Sequence, residues 1–228
     1  MKKYFLALLA LCFIPTKIAT ATPETTKEIS SDIQSSEVHS ASKKSFEKLS
    51  ESTVQVRTQF GFGTGTVFKN EGSYYVITAA HVLRGLMGEI IDAKVVFEDS
   101  IIETSVAYVS ETSDVAILAV EEIEGRSPYS MKFRRGDLSI GDRTAYCGYP
   151  NRPALACFEG AVSQIMDDYL NIHSYAFGGA SGSLVVDSRG RVIGILTAIE
   201  VGGWFNGPQP LEDVVWVTPI QKDILENL

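Results

Sequence analysis

The sequence predicts an all-β domain whose antiparallel strands form a sandwich or a barrel. Twelve short runs rich in β-branched and aromatic residues alternate with turn residues between positions 53 and 217. Helical patterns are confined to one segment before these runs and one after them. The 228 residues can bury a sizeable core, and an apolar content of 45% with 21% charged residues is typical of a globular protein.

The first 21 residues have the pattern of a cleaved signal peptide. Lys2 and Lys3 precede the apolar run Tyr4–Ile14, and Ala19–Ala21 has the small-x-small form of a cleavage site. The apolar run is shorter than the ~20 residues that a membrane-spanning helix needs, and no later segment is apolar enough to span. We therefore expect export, either to a periplasm or to the outside medium.

Charge narrows the classes of partner. Removal of residues 1–21 takes away three lysines and no acid, so the formal charge changes from −8 to −11. An acidic exported domain does not favour nucleic acid or an anionic membrane surface. We expect no nucleic-acid partner and no integral membrane segment after processing, and the sequence does not indicate an oligomeric state.

Residues 22–45 are predicted to form a flexible leader. They are rich in Ser, Thr, Glu and Lys, so they bury too little apolar surface to offset the entropy of ordering. A short helix is expected to begin near Ser42 and to run through Phe46 and Leu49. The folded domain would then comprise residues 46–228.

Turn residues bound each predicted strand. The strands are Thr53–Gln59, Gly65–Lys69, Tyr74–Thr78, Ala93–Phe97, Ile101–Val109, Val115–Val120, Thr144–Cys147, Leu155–Ile165, Leu170–Ser174, Ser183–Val186, Val192–Ile199 and Val214–Val217. Glycine and proline interrupt residues 121–141, which are predicted to link two halves.

The chain is predicted to end in a helix. Thr218 can cap this helix and Pro219 suits its first position. The apolar face of the helix would comprise Ile220, Ile224, Leu225 and Leu228.

Two cysteines, Cys147 and Cys157, remain after processing. They flank a turn at Gly148–Asn151, so in an oxidising compartment they could form a cross-strand disulfide. They could equally be two buried thiols on separate strand faces, and the sequence leaves both possibilities open. A zinc site is not predicted, because no histidine or second cysteine pair lies close in sequence.

Three separated residues suggest a nucleophilic hydrolase. His81 follows an apolar strand run, Asp114 precedes another, and Ser181 lies in a glycine-rich loop. A serine hydroxyl needs a neighbouring base, and imidazole can take its proton and return it later. A carboxylate can hold the other imidazole N–H and fix the tautomer. The order His, Asp, Ser therefore predicts a catalytic triad.

Each role has alternatives that share the residue type but not the setting: His39, His173, Asp92, Asp99, Ser174 and Ser183. One histidine lies in the predicted leader and the other within a strand run, where a structural histidine is commoner. The two aspartates have flanks typical of solvated turns. Neither alternative serine has the glycines that surround Ser181 at positions 178, 179 and 182.

Those glycines also predict an oxyanion hole. They allow a sharp turn, so that successive N–H groups aim at one point where negative charge develops. A plain hairpin turn would be the simpler interpretation if the loop stood alone. An α/β-hydrolase is not favoured, because its motif needs glycine where this chain has Ser183, and no histidine follows Ser181.

Five linked segments carry a family resemblance: Gly63–Phe68, Tyr75–Val82, Ser113–Leu118, Gly179–Val186 and Gly190–Ile195. Together they resemble the chymotrypsin-fold serine proteases, most closely the catalytic domain of the HtrA type. The resemblance covers roughly residues 50–228. No PDZ domain follows those residues here, so we expect no regulation through one.

The resemblance implies a serine endopeptidase made of two six-stranded β-barrels with the catalytic cleft between them. His81 and Asp114 would come from the first barrel and Ser181 from the second. The N–H groups of Gly179 and Ser181 would form the oxyanion hole, and the strand Leu196–Ile199 would pair with a polypeptide substrate. The family works through an acyl-enzyme intermediate and needs neither metal nor cofactor.

The chain departs from the family pattern next to the nucleophile. Ala180 stands where many relatives have Asp or Asn, so the ion pair that activates digestive zymogens cannot form. Ordering of the loop must then come from packing or from the substrate. Relatives usually have Gly-Pro where this chain has Ser183 and Leu184. This replacement resembles the variation seen among glutamyl endopeptidases. A catalytically silent barrel that binds peptides or a partner is therefore the alternative function, although it has no need of all three triad residues.

The expected substrate-binding residues are Tyr175, Thr197 and Ala198. None of them is acidic, so nothing there would attract lysine or arginine. Thr197 replaces the histidine that glutamyl endopeptidases place on this strand. We expect a preference for small or medium apolar side chains at the cleaved residue.

Overall fold

The computed structural model describes residues 43–151, 154–202 and 209–228. The predicted signal peptide and the leader up to residue 42 lie outside the described residues. No helix within these ranges is long and apolar enough to cross a membrane.

The first half of the domain is a helix followed by a seven-stranded antiparallel sheet with the order β5-β4-β1-β2-β3-β7-β6. Its elements are α1 (Lys43–Ser52), β1 (Thr53–Thr58), β2 (Gly61–Asn70), β3 (Ser73–Thr78), a 3₁₀ segment (Ala80–Leu83), β4 (Lys94–Phe97), β5 (Ser100–Glu103), β6 (Ser105–Val109) and β7 (Ala116–Val120).

The second half is a closed barrel with the order β10-β13-β12-β11-β8-β9. Its strands are β8 (Arg143–Gly148), β9 (Ala156–Ile165), β10 (Leu170–His173), β11 (Leu184–Asp187), β12 (Val192–Gly202) and β13 (Gln209–Pro219), followed by a 3₁₀ segment (Lys222–Asn227).

The all-β class and the two barrel-like sheets are confirmed, but the first sheet has seven strands instead of six. The predicted strand Ile101–Val109 is two strands, because the chain crosses at Thr104 from one edge of the sheet to the other. β5 pairs with β4, whereas β6 pairs with β7. This crossover curves the sheet into a barrel-like shape.

The predicted start of the last helix was wrong. Thr218 and Pro219 are the final residues of β13, where they pair with Ile195 and Gly194 of β12. The ladder continues past this proline, since the Ile220 N–H donates to Ile193 O at 3.2 Å. Pro219 therefore lies at a non-hydrogen-bonded position of the antiparallel pair, where its missing N–H costs no ladder bond. Ile220 lies before the 3₁₀ segment and Ile224 lies within it, but both are 8% exposed and pack into the core, so their predicted burial is confirmed.

The core consists of three apolar clusters. One fills the first sheet around Val76, and one fills the second barrel around Ile172. The third lies between them and includes Phe68, Ile77 and Leu184, all of which are fully buried. This shared cluster packs the two sheets against each other, so loops from both can contribute to one site.

A disulfide joins Cys147 of β8 to Cys157 of β9. The two residues face each other in the antiparallel register, with Cα atoms 4.0 Å apart. Of the two possibilities that the sequence left open, the structure has the disulfide. The bond closes the base of the loop that contains Tyr149 and Asn151.

Candidate active site

His81 and Asp114 meet because β3 and β7 are antiparallel neighbours. The register pairs Thr78, the last residue of β3, with Ala116, the first residue of β7. His81 lies in the 3₁₀ segment just after β3, and Asp114 lies just before β7. The same edge of the sheet therefore carries both side chains.

The Asp114 carboxylate holds His81 by two hydrogen bonds. Its Oδ2 lies 2.6 Å from the imidazole Nδ1, and its Oδ1 accepts the backbone N–H of His81 at 2.8 Å. An ionised carboxylate can only accept, so Nδ1 must carry the proton and Nε2 is left to accept one. The side chains are 44% and 31% exposed, so the pair is open to the cleft.

Burial is the largest influence on the Asp114 carboxyl and raises its pKa. The hydrogen bonds and charge of His81, with the charge of Arg84, together outweigh burial, so the pKa of Asp114 lies below its ordinary value of 3.8. Asp114 is therefore ionised at neutral pH, as a partner for an imidazolium must be.

Ser181 shares a cleft of about 180 Å³ with His81. Its hydroxyl is placed 3.5 Å from the carbonyl oxygen of Thr197, at the limit of a hydrogen bond. Within the described part of the chain, the Ser181 hydroxyl makes no hydrogen bond to His81. The predicted Ser–His contact is thus not formed in this structure, although such contacts often tighten when substrate binds.

The loop around Ser181 is fastened to β12 by its backbone. The Gly182 N–H donates to Leu196 O at 2.7 Å, and the Leu196 N–H donates to Ser183 O at 2.9 Å. Ala180 is fully buried in the core of the second barrel, which shows that packing orders this loop in place of an ion pair.

The predicted oxyanion amides belong to Gly179 and Ser181 in the loop before β11. Among the described residues, the N–H groups of Gly179 and Ser181 donate to no acceptor. Gly179 has a φ of +96°, a conformation that glycine adopts at little cost. Two amides without acceptors in one tight loop are what a developing oxyanion needs.

Gly182 lets this loop approach the first sheet closely. Its φ is +93°, and a Cβ built there would lie 2.0 Å from Thr64 O and 2.3 Å from Thr78 Oγ1. Gly178 differs, because a Cβ there would meet nothing within 4 Å. Of these two glycines, only Gly182 is required by contact.

Sequence reasoning did not single out Thr64 as a residue that holds the nucleophile loop. It is fully buried on β2, donates its N–H to Ser181 O at 2.7 Å and donates its hydroxyl to Gly179 O at 2.8 Å. The signal that could have revealed it is a threonine between two glycines on a strand, at a position where the strand must approach another backbone.

Of the three predicted substrate residues, the structure places Thr197 beside Ser181, with its carbonyl oxygen 3.5 Å from Ser181 Oγ. Thr197 is skipped in the pairing of β12 with β13, because Leu196 pairs with Val217 and Ala198 pairs with Trp216. Ala198 is exposed, and Tyr175 is 46% exposed with its ring packed against Phe158. The exposed Ala198 leaves this part of β12 accessible to a peptide.

The alternative side chains make other contacts. Ser174 Oγ donates to Glu159 O and Ser183 Oγ donates to Ala180 O, and both serines are buried. His173 faces Asp213 on β13. Asp92 and Asp99 are exposed and do not line the cleft of His81, and His39 lies outside the described residues. No three His, Cys, Asp or Glu side chains of the described ranges are grouped so as to hold a metal ion.

Alanine substitutions at Gly182 and Gly178 test whether close contact, and not glycine content, makes a glycine necessary in this loop. Backbone strain alone at the φ of Gly182 costs about 1–3 kcal/mol. Because the added Cβ would also clash with backbone atoms, Gly182→Ala should lower the free energy of unfolding by more than that. Gly178→Ala has open space and should stay within about 0.5 kcal/mol of the wild type. Urea denaturation measures both, and equal losses would contradict the close approach at Gly182.

Asp114 should stabilise the fold in a pH-dependent way. Because its pKa is lower in the folded than in the unfolded state, its contribution is present above the unfolded value of about 3.9 and is lost as pH falls through the folded pKa. The difference in the free energy of unfolding between wild type and Asp114→Asn should therefore be larger near pH 6 than near pH 3. A difference that grows on acidification would contradict this assignment.

Comparison with known proteins agrees with this architecture. Residues 63–195 match the trypsin-like peptidase domain family. Rv3671c from M. tuberculosis H37Rv, solved as a serine-to-alanine mutant in its inactive form, is similar with a TM-score of 0.61 and 21% identity, over 78% of this chain and 86% of that one. Deg5 is similar with a TM-score of 0.57 and 24% identity, over 68% of this chain and 83% of that one.

At these identities the solved structures establish the fold alone, whereas the family match covers more than half of the chain. The chymotrypsin-like fold expected from the sequence is confirmed. The chain belongs to the trypsin-like peptidase domain family and is a serine peptidase.

Proposed function

We propose that this chain is an exported serine endopeptidase that cleaves peptide bonds through an acyl-enzyme intermediate. The observation that carries the proposal is the Asp114 carboxylate, which binds both the ring and the backbone of His81 at the cleft that contains Ser181. The arrangement orients an imidazole with its free nitrogen available to a hydroxyl.

In the first step, Ser181 Oγ turns from Thr197 O toward His81 Nε2 and attacks the substrate carbonyl carbon. The hydroxyl proton moves to Nε2 as the Oγ–C bond forms, and Asp114 stabilises the resulting imidazolium. The carbonyl oxygen becomes an oxyanion that accepts hydrogen bonds from the N–H groups of Gly179 and Ser181.

The tetrahedral intermediate then collapses. The C–N bond breaks, and the proton on Nε2 passes to the leaving amine, which leaves an ester on Ser181. A water molecule gives its proton to Nε2 and attacks this ester. Collapse of the second intermediate returns the proton to Ser181 Oγ and releases the carboxylic acid product.

The walls of the cleft support an apolar substrate. Phe60 and Phe62 line it and are 51% and 39% exposed, and large exposed apolar side chains beside a cleft commonly mark a binding surface. Thr197 and Ala198 offer the main chain of β12 to the substrate, with Tyr175 nearby on the loop before the nucleophile. We propose small or medium apolar side chains at the cleaved residue.

Export is proposed from two observations. Residues 1–21 have the signal-peptide pattern, and the disulfide between Cys147 and Cys157 is a bond typical of oxidising compartments. The compartment, periplasm or outside medium, does not affect the chemistry described here.

A catalytically silent peptide-binding barrel is the second candidate. Two observations favour it: Ala180 precedes the nucleophile, and the Ser181 hydroxyl is oriented toward Thr197 O. The amides of Gly179 and Ser181, which have no acceptor among the described residues, favour the peptidase instead. The two functions differ in whether Ser181 reacts.

A fluorophosphonate probe followed by intact-mass analysis tests that difference. The wild type should gain one probe mass, Ser181→Ala should gain none, and the buried Ser174→Ala should label like the wild type. Loss of a triad serine typically lowers turnover by about 10⁶-fold. Asp114→Asn should lower turnover by about 10⁴-fold, because asparagine no longer holds the imidazole in the tautomer with its proton on Nδ1.

Equal labelling of Ser181→Ala and wild type would overturn the assignment of the nucleophile. A folded wild type that takes no probe but still binds an apolar peptide would support the silent barrel. The same mass spectra, recorded with and without reductant, report the processing site and the disulfide.

A further inference from the structure

The loop that contains the oxyanion amides has to be held without the ion pair that Ala180 cannot make. Its two peptide planes on either side of Gly179 are each fastened by a group from elsewhere in the fold. One group comes from the disulfide-closed loop between β8 and β9, and the other comes from β2 of the first sheet.

The first plane is the Gly178–Gly179 peptide. Its carbonyl oxygen accepts the N–H of Asn151 at 2.6 Å. A trans peptide is planar, so its N–H points opposite to its C=O. The Asn151 hydrogen bond therefore directs the Gly179 N–H away from the β8–β9 loop, and that N–H has no acceptor within the described ranges.

The second plane is the Gly179–Ala180 peptide. Its carbonyl oxygen accepts the Thr64 hydroxyl at 2.8 Å, and the same hydroxyl oxygen accepts the Tyr149 N–H at 3.0 Å. Thr64 thus uses its single proton toward Gly179 and its lone pair toward the β8–β9 loop. Its backbone N–H also holds Ser181 O at 2.7 Å.

Packing closes the space in which Gly179 could turn. A Cβ built on Gly179 would lie 2.4 Å from a ring carbon of Phe62 and 2.5 Å from Tyr149 O. Asn151 has a φ of +47°, a left-handed conformation that asparagine tolerates better than most residues. The amide that donates to Gly178 is therefore itself set by an unusual turn.

We propose that Thr64 and Asn151 are positioning residues that preorganise the oxyanion hole, in place of an ion pair from the residue before the nucleophile. This inference rests on the proposed peptidase function. Neither residue touches the reacting atoms. Asn151 fixes the peptide plane that carries the Gly179 N–H. Thr64 fixes the next plane, whose own N–H, that of Ala180, donates to Phe177 O at 3.0 Å. With both planes held, Gly179 cannot rotate between them, so its N–H is already aimed when the oxyanion forms.

Thr66 provides a matched control for Thr64. Both threonines lie on β2 and both are fully buried. The Thr66 hydroxyl has no hydrogen-bond partner among the described residues, whereas the Thr64 hydroxyl has two. We call the two hydrogen bonds of the Thr64 hydroxyl, to Gly179 O and from the Tyr149 N–H, the clamp. The same change, threonine to valine, therefore removes the clamp at position 64 and no described contact at position 66.

The test compares Thr64→Val, Thr64→Ser and Thr66→Val in peptide hydrolysis. Thr64→Val should lower kcat by about 10- to 100-fold with KM within about threefold, because one oxyanion donor is worth about 10²–10³ in kcat and here it is misaimed, not removed. Thr64→Ser keeps the hydroxyl and should restore most of kcat. Thr66→Val should behave as the wild type.

Two further readouts separate positioning from a general loss of structure. The inhibition constant of a peptide aldehyde, whose adduct carries the oxyanion, should rise by the same factor as kcat/KM falls. The dissociation constant of the uncleaved peptide should be equal for Ser181→Ala and for Ser181→Ala combined with Thr64→Val. Hydrogen exchange of the segment 177–183 should be faster in Thr64→Val than in the wild type, and it should be unchanged in Thr64→Ser and Thr66→Val.

These outcomes distinguish the two proposals. A wild type that hydrolyses peptides, with Thr64→Val equal to it in kcat and in hydrogen exchange, would overturn the clamp and leave the peptidase intact. A wild type without activity, in which Thr64→Val still speeds exchange of the loop, would support the clamp and overturn the peptidase. Equal losses in Thr64→Val and Thr66→Val would also overturn the clamp, since they would show an effect of the strand as a whole.

Discussion

The backbone of the nucleophile loop lies directly against β2 of the first sheet, and the rest of the site depends on that contact. The Thr64 N–H donates to Ser181 O at 2.7 Å, and Gly182 leaves room for Thr64 O and Thr78 Oγ1 beside it. Thr78 is the last residue of the strand that leads to His81. One small region of backbone therefore sets the position of Ser181 and the end of the strand that leads to His81.

The electrostatics of the site follow from the same geometry. Burial raises the pKa of Asp114, but the two hydrogen bonds and the charge of His81, with the charge of Arg84, together outweigh it, so Asp114 keeps its charge. The proton on His81 Nδ1 is thereby fixed, and Nε2 is left as the nitrogen that can accept one. In the proposed reaction, the N–H groups of Gly179 and Ser181 would supply partial positive charge to the carbonyl oxygen. Charge that develops during the proposed reaction thus has a fixed partner on each side.

The strand pattern was predictable because runs of β-branched and aromatic residues lie between turn residues. Alternation contributed little, since β11 is buried throughout and β2 is buried from position 63 to position 68. The split at Thr104 was not, since the residues on both sides favour strands and only the pairing partners differ. The strand conformation of Thr218 and Pro219 also depends on tertiary pairing, because both residues pair with β12 and therefore do not begin a helix. Local propensity decides little where a neighbouring strand competes for the same residues.

The site divides in the same way. The chemistry of His81, Asp114 and Ser181 is carried by side chains and could be predicted from residue type and order. The roles of Thr64 and Asn151 depend on hydrogen bonds to carbonyl oxygens of a distant loop, with 115 positions separating Thr64 from Gly179. The glycines on either side of Thr64 indicate that another backbone comes close, but they do not identify it, so only the folded chain reveals the partner.

The central claim is that the nucleophile, the imidazole and the two amides converge on one carbonyl position. A crystal structure of the protein with a peptide boronate tests it most directly. We expect boron bonded to Ser181 Oγ, one boronate oxygen within hydrogen-bond distance of the N–H groups of Gly179 and Ser181, and another beside His81 Nε2. Boron on a different residue, or a Gly178–Gly179 peptide turned so that its carbonyl faces the boronate, would contradict it.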